Sequence, residues 1–179
     1  MEIVFPENNE EEFVEMAIRL GCKEICFAYP ENKAPAKIPE TKKLSVKIAI
    51  INPKNPARAK NKVDFIISDE DARSSFEGRE VDIVFGLEAK AKSDFTRQRN
   101  SGLNQVLCEI AAKKGKIYGF NFRDVLAAKN RAAIMGRMMQ NMMLCRKYKI
   151  KTIIFSGAKE PIEMRNPKDL KLFFEILRR

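Results

Sequence analysis

Seven short apolar runs, separated by stretches of helical periodicity, limit this sequence to a few folds. The runs are Ile3–Phe5, Glu24–Ala28, Ser45–Ile51, Val63–Ser68, Val81–Gly86, Lys116–Phe120 and Lys151–Phe155. Most are rich in β-branched and aromatic residues and have the length of strands buried on both faces. Between and after them lie helical stretches at Glu10–Leu20, Pro56–Lys60, Asp69–Phe76, Ser101–Lys114, Arg123–Ala128, Arg131–Tyr148 and Pro167–Leu177. Gly21 and Gly115 stand where left-handed helix ends are expected. Asn100 or Ser101 can cap the helix that follows them, Asn130 suits the start of the long helix, and Pro167 suits a first helical turn.

Repeated β–α alternation predicts a mostly parallel sheet. About seven strands favour a distorted or trimmed TIM-like (β/α) barrel, since a full eightfold barrel takes about 200–250 residues and this chain has 179. An open doubly wound sheet is the alternative from pattern alone. No internal repeat or domain boundary is visible, so residues 1–179 read as a single domain. Tyr29–Lys43, with three prolines among polar residues, reads as a loop.

The chain contains no histidine. That excludes Ser-His-Asp and Cys-His nucleophile activation, histidine-ligated metals and an imidazole proton shuttle. Four cysteines in a Lys-rich chain with an acidic N-terminus suggest reduced thiols in the cytoplasm. Cys22, Cys26, Cys108 and Cys145 do not have metal-site spacing and read as core thiols. Charge or proline interrupts every apolar stretch before membrane-spanning length, so no transmembrane helix is expected.

The net charge is +10, unevenly placed. Residues 1–40 carry nine acidic and four basic side chains, whereas residues 89–151 carry fifteen Lys or Arg against Asp94, Glu109 and Asp124. Such a basic segment attracts polyanions. Its densest part is residues 93–115, where Arg97 and Arg99 precede a helix start containing Ser101, Gly102 and Asn104. Free backbone N–H groups and two planar guanidinium forks suit phosphate. The Ser156-Gly157-Ala158-Lys159 turn is a weaker phosphate candidate. Asp69, Glu70, Asp71 and Glu88 follow strands and could hold Mg²⁺, or could simply favour helix N-termini. Within Arg131–Lys149, Ile134, Met138, Met142 and Cys145 form one apolar stripe. Met135, Met139 and Met143 form a second row beside it, available to a protein partner.

RNSGLNQVLCEIA (99–111), IYGFNF (117–122), RMMQNMMLCRKYKI (137–150), FSGA (155–158) and MRNPKDL (164–170) resemble the ribonuclease P protein component 3 family of archaea. VDIVFGLE (81–88) and DF (94–95) stand in the expected order before them. The resemblance implies a distorted TIM barrel in a ribonucleoprotein that removes 5′ leaders from precursor tRNA. It also implies that ribonuclease P RNA, with its own Mg²⁺, performs the cleavage. This chain would then be a non-catalytic, cofactor-free partner of protein component 2. On that basis Arg97 and Arg99 are expected to contact RNA phosphate, with Asn100, Ser101 and Asn104 shaping their loop. Lys90, Lys92, Arg123 and Arg131 extend the basic surface. Two other readings stay open: a Mg²⁺-dependent phosphoesterase or nuclease using Asp69, Asp71 and Glu88, and a protein-interaction module whose basic face serves solubility.

Overall fold

The computed structural model describes residues 1–33, 39 and 41–178. All seven apolar runs form strands: β1 Glu2–Val4, β2 Glu24–Pro30, β3 Ser45–Ile51, β4 Phe65–Ser68, β5 Ile83–Phe85, β6 Ile117–Asn121 and β7 Lys151–Phe155. They join in sequence order, and each pairing is parallel. Helices cover the outside: α1 Glu10–Arg19, α2 Pro56–Lys60, α3 Ala72–Glu77, α4 Leu87–Lys90, α5 Gln105–Lys113, α6 Phe122–Ala127, α7 Arg131–Lys147 and α8 Pro167–Arg178. The result is the nearly closed TIM-like barrel expected from the alternation, not an open sheet.

The seam between β1 and β7 explains the closure. The two strands form no ladder. Instead the Phe5 N–H donates to the Ala158 carbonyl at 2.8 Å and the Gly157 N–H to the Ile3 carbonyl at 3.3 Å. The Glu2 carboxylate accepts from the Ser156 N–H at 2.8 Å and also from its hydroxyl. Burial raises the Glu2 carboxyl from 4.5 to about 7, against the lowering effect of the Ser156 bonds. The Ser156–Lys159 turn therefore serves the seam, and with Ser156 only 2% exposed its hydroxyl is not open to a phosphate.

Alternation along the strands sorts the core. Ile3, Cys26, Ala28, Ala49, Ile67, Ile83, Phe85 and Phe155 fill the barrel interior. The other strand faces meet the helices, including Phe27 and Tyr29 toward α1, and Tyr118 and Phe120 toward α7 and α8. Gly119 makes room inside: a Cβ there would lie 2.9 Å from the Phe155 ring. That ring meets Phe85 edge-on, with centroids 5.5 Å apart. All four cysteines are free and buried, and burial pushes the Cys26 thiol up to about 12.

Several boundaries differ from those predicted. β5 stops at Phe85, because Gly86 takes a left-handed φ of +71° and starts the short helix α4, which periodicity does not reveal. α5 begins at Gln105, not at residue 101, and its cap is Asn104, whose side chain accepts from the Leu107 N–H at 2.9 Å. Asn130 caps α7 as expected, accepting from the Ala133 N–H. In the stretch expected to be a loop, β2 runs on through Pro30, and residues 34–38 and 40 lie outside the described residues.

Candidate nucleic-acid interface

The long connection from α4 to α5, residues 91–104, carries the predicted arginines. Its tail is fastened by the motif residues themselves. The Ser101 hydroxyl accepts from Gln140 Nε2 at 2.8 Å, and the Ser101 carbonyl accepts from Asn141 Nδ2 at 2.8 Å. Gly102 has φ +82° and presses on α4: a Cβ there would fall 2.7 Å from Leu87 Cβ. Leu103 is buried, and Asn104 caps α5. Ser-Gly-Leu-Asn is thus a fastening in which each residue has a separate packing or bonding task.

The front of the connection is held by Asp94. Its carboxylate accepts from Arg99 Nη1 at 2.8 Å, Arg137 Nε at 2.6 Å and the Asn100 N–H at 3.0 Å. The hydrogen bonds from Arg99 and then Arg137 hold the Asp94 carboxyl well below the usual carboxylate range. Arg137, 3% exposed, also donates Nη1 to the carbonyls of Glu88 at 3.0 Å and Ala91 at 2.7 Å. The Arg99 guanidinium lies against Gly136 of α7, where a Cβ would sit 2.9 Å from its Cζ.

Beneath this clamp, Glu88 is fully buried. Its Oε1 accepts from Tyr118 Oη at 2.9 Å and Asn141 Nδ2 at 2.8 Å. Burial pushes its carboxyl from 4.5 up to about 7, although those hydrogen bonds favour the charged form. Asn141 therefore joins the carboxyl of Glu88 to the carbonyl of Ser101, tying α4, α7 and the connection together. Sequence reasoning missed Glu88, Asp94, Arg137, Gln140 and Asn141 as positioning residues. The available signal was polar Arg137 and Asn141, four apart, on the face that also carries Ile134, Met138, Met142 and Cys145.

What remains outside is short and basic. Lys92, Phe95, Thr96, Arg97 and Gln98 are exposed, and the Arg99 side chain is 49% exposed despite its ion pair. The structure thus brings Lys90, Lys92, Arg97 and Arg99 onto one segment. Lys90 is exposed and bonds the Glu70 carbonyl. Asn100 bonds Asp94 and the Ser93 carbonyl. Ser101, by contrast, is 1% exposed, so it shapes the connection and does not offer its hydroxyl to a polymer. Arg131 is exposed at the first residue of α7, whereas Arg123 sits at the barrel mouth in an ion pair with Glu163. On α7, Met143 and Met139 are exposed, whereas Met135 is half-buried against the helix-layer core.

The acidic residues do not assemble as the phosphoesterase reading requires. Asp71 caps α3 through the Ser74 N–H, and Glu88 turns outward into the helix layer. Only Asp69 reaches the mouth, beside a cavity of about 330 Å³ lined by Phe5, Ile51, Phe85 and Asn121 among others. There it accepts from Asn52 Nδ2 at 2.6 Å. Its acidic neighbour is Asp124, pushed up to about 6 by burial and then by Asp69. Among the described residues there is no group of three or more His, Cys, Asp or Glu placed to hold a metal ion. No helix in them is long and apolar enough to cross a membrane.

Ribonuclease P protein component 3 of Methanosarcina mazei is 25% identical over 94% of this chain and 74% of its own length. The Methanosarcina barkeri protein of the same name is 27% identical over 95% of this chain and 75% of its own. That of Thermococcus kodakarensis is 33% identical over 49% of this chain and 40% of its own. No family model matches the chain. Among solved structures, a chain in the cryo-EM structure of archaeal ribonuclease P with mature tRNA superposes with TM-score 0.76 at 21% identity, covering 99% of this chain and 83% of that one. A histidinol phosphate phosphatase of Lactococcus lactis, solved with zinc, L-histidinol and phosphate, superposes with TM-score 0.64 at 12% identity, covering 99% and 93%. At such identities the two structures show the shared fold alone.

Proposed function

We infer that this chain, which belongs to the ribonuclease P protein component 3 family, is a protein subunit of ribonuclease P and supports the RNA that removes 5′ leaders from precursor tRNA. The observation that carries this reading is similarity to component 3 proteins along nearly the whole chain. The architecture agrees with such a role. A scaffold for catalytic RNA needs positive charge held in place more than it needs an acid and a base. The 91–104 connection supplies that: Arg97 is exposed, and Arg99 is aimed by Asp94 and α7. Folded RNA is met largely through phosphate, 2′-hydroxyl and shape, which suits Lys90, Lys92, Arg97 and Arg99 as contacts and Arg131 as their extension. Protein component 2 is the proposed partner, with Met139 and Met143 offering apolar surface. Mg²⁺ belongs to the RNA.

Reconstitution tests this. Precursor-tRNA cleavage by an archaeal ribonuclease P RNA is measured at limiting Mg²⁺ with component 2 alone, with this chain alone and with both. The pair should lower the Mg²⁺ requirement where neither protein alone does so. Cleavage by this chain without RNA would overturn the reading. Arg97→Glu with Arg99→Glu should weaken RNA retention and reduce its dependence on log salt by roughly 0.7–0.9 per lost phosphate contact. An unchanged slope removes those two residues from the interface.

A further inference from the structure

Of the twelve phenylalanines and three tyrosines in the chain, Phe95 alone is more than half exposed, at 57%. A single exposed apolar side chain is ordinary. Its setting is what separates this one. Asp94, the residue before it, is fixed by Arg99, Arg137 and the Asn100 N–H. The ring therefore projects from an anchored stretch of backbone, and little ordering remains to be done when something covers it. Around it in sequence stand exposed Lys92, Thr96, Arg97, Gln98 and Arg99.

We propose that Phe95 is a base-stacking site that takes an unpaired nucleobase of the bound RNA, while Lys92, Arg97 and Arg99 hold the phosphates on either side. The proposal rests on the RNA-scaffold reading and adds a contact with the base itself. Charge decides the occupant. Lysine is depleted at protein–protein interfaces, and this ring stands among Lys92, Arg97 and Arg99 with Asp94, the one carboxylate beside it, already paired, so the uncompensated positive charge favours a polyanion. Within RNA, bases of an A-form helix are already stacked on each other, whereas bases in loops and bulges are free to lie on an aromatic face. Stacking accepts any base, so the site selects an unpaired conformation and not a sequence.

The test uses this chain together with component 2 and an archaeal ribonuclease P RNA, over a series of salt concentrations. Phe95→Ala should bind RNA roughly 5- to 150-fold more weakly, the range expected for one lost base stack. Its salt slope should match that of the unsubstituted protein, because no charge has been removed. Phe95→Tyr should restore the affinity. Chemical probing of the RNA should show one unpaired nucleotide that becomes reactive with Phe95→Ala and protected again with Phe95→Tyr. The melting temperature of Phe95→Ala should stay put, since the ring supports no core. Equal RNA affinity for Phe95→Ala and the unsubstituted protein, with Arg97→Glu still weakened, would overturn the stacking site and leave the RNA reading intact. No RNA retention by any of the proteins would remove both. A loss confined to component 2 binding, measured without RNA, would make Phe95 a protein contact and overturn the proposal.

Discussion

Replacing Glu88 by glutamine should abolish a defined share of the pH dependence of folding. Glu88 is entirely buried, and its carboxyl is raised from 4.5 to about 7, chiefly by burial, with Asp124 adding a smaller push in the same direction. The sign follows from linkage. The folded protein keeps a proton on Glu88 at pH values where the unfolded chain has already released it. The resulting stability is fully present below the unfolded value, declines as pH rises through the window from 4.5 to about 7, and is gone above it. A gap of that size is worth roughly 3 kcal/mol, most of which is lost between pH 5 and pH 8. In a chain of this size that is roughly 5–10 °C in melting temperature. Glutamine keeps the shape and can accept the Tyr118 and Asn141 hydrogen bonds without titrating. Urea unfolding of both proteins near pH 5 and pH 8 checks the prediction: Glu88→Gln should gain about 2–3 kcal/mol on the unsubstituted protein over that interval. Glu2, also raised to about 7, is common to both proteins and cancels in the comparison. Parallel stability curves would refute the assignment of a neutral, buried Glu88.

Other expectations follow from the same contacts. Arg137→Leu removes the donor to the carbonyls of Glu88 and Ala91 as well as to Asp94, so leaving those buried carbonyls unpaired should cost roughly 1–3 kcal/mol. Amide exchange should speed up in residues 88–101 more than in the strands, and uniform protection would contradict the role given to Arg137. Gly157→Ala would place a Cβ onto Asn121 Oδ1 in a backbone with φ +67°, so thermal melting should show a loss of roughly 1–3 kcal/mol. Cys26 and Cys108, both 0% exposed with thiols raised to about 12 and about 11, should not react with a disulfide reagent near pH 8 until the protein unfolds. Rapid labelling of the folded chain would show the core to be open there.

Local pattern carried the elements, because strands and helices leave their period in a few consecutive residues. Every apolar run became a strand, and their number pointed to a barrel short of eight. Gly21 and Gly115 turned helices off with positive φ where their positions suggested. Lack of histidine, a property of composition, excluded whole classes of chemistry without any structure. Pattern failed at α4, a four-residue helix too short to show a period, and at the start of α5, where several polar residues competed to be the cap.

The division of labour among the polar residues was decided by tertiary structure. Ser101 and Arg99 stand two apart in one motif, yet one is buried under Gln140 and Asn141 while the other faces solvent across Gly136. Asp69, Asp71 and Glu88 look equivalent in sequence and end at the mouth, on a helix cap and inside the helix layer. Burial is set by what packs from elsewhere. Asn141 meets Ser101 from 40 residues away and Glu88 from 53. The sequence by itself determined the alternation, the charge and the excluded chemistry, which are sums over near neighbours or over the whole chain. Only the folded barrel decided which polar groups anchor the 91–104 connection and which it presents, because desolvation and hydrogen bonding depend on neighbours that the chain brings together from far apart.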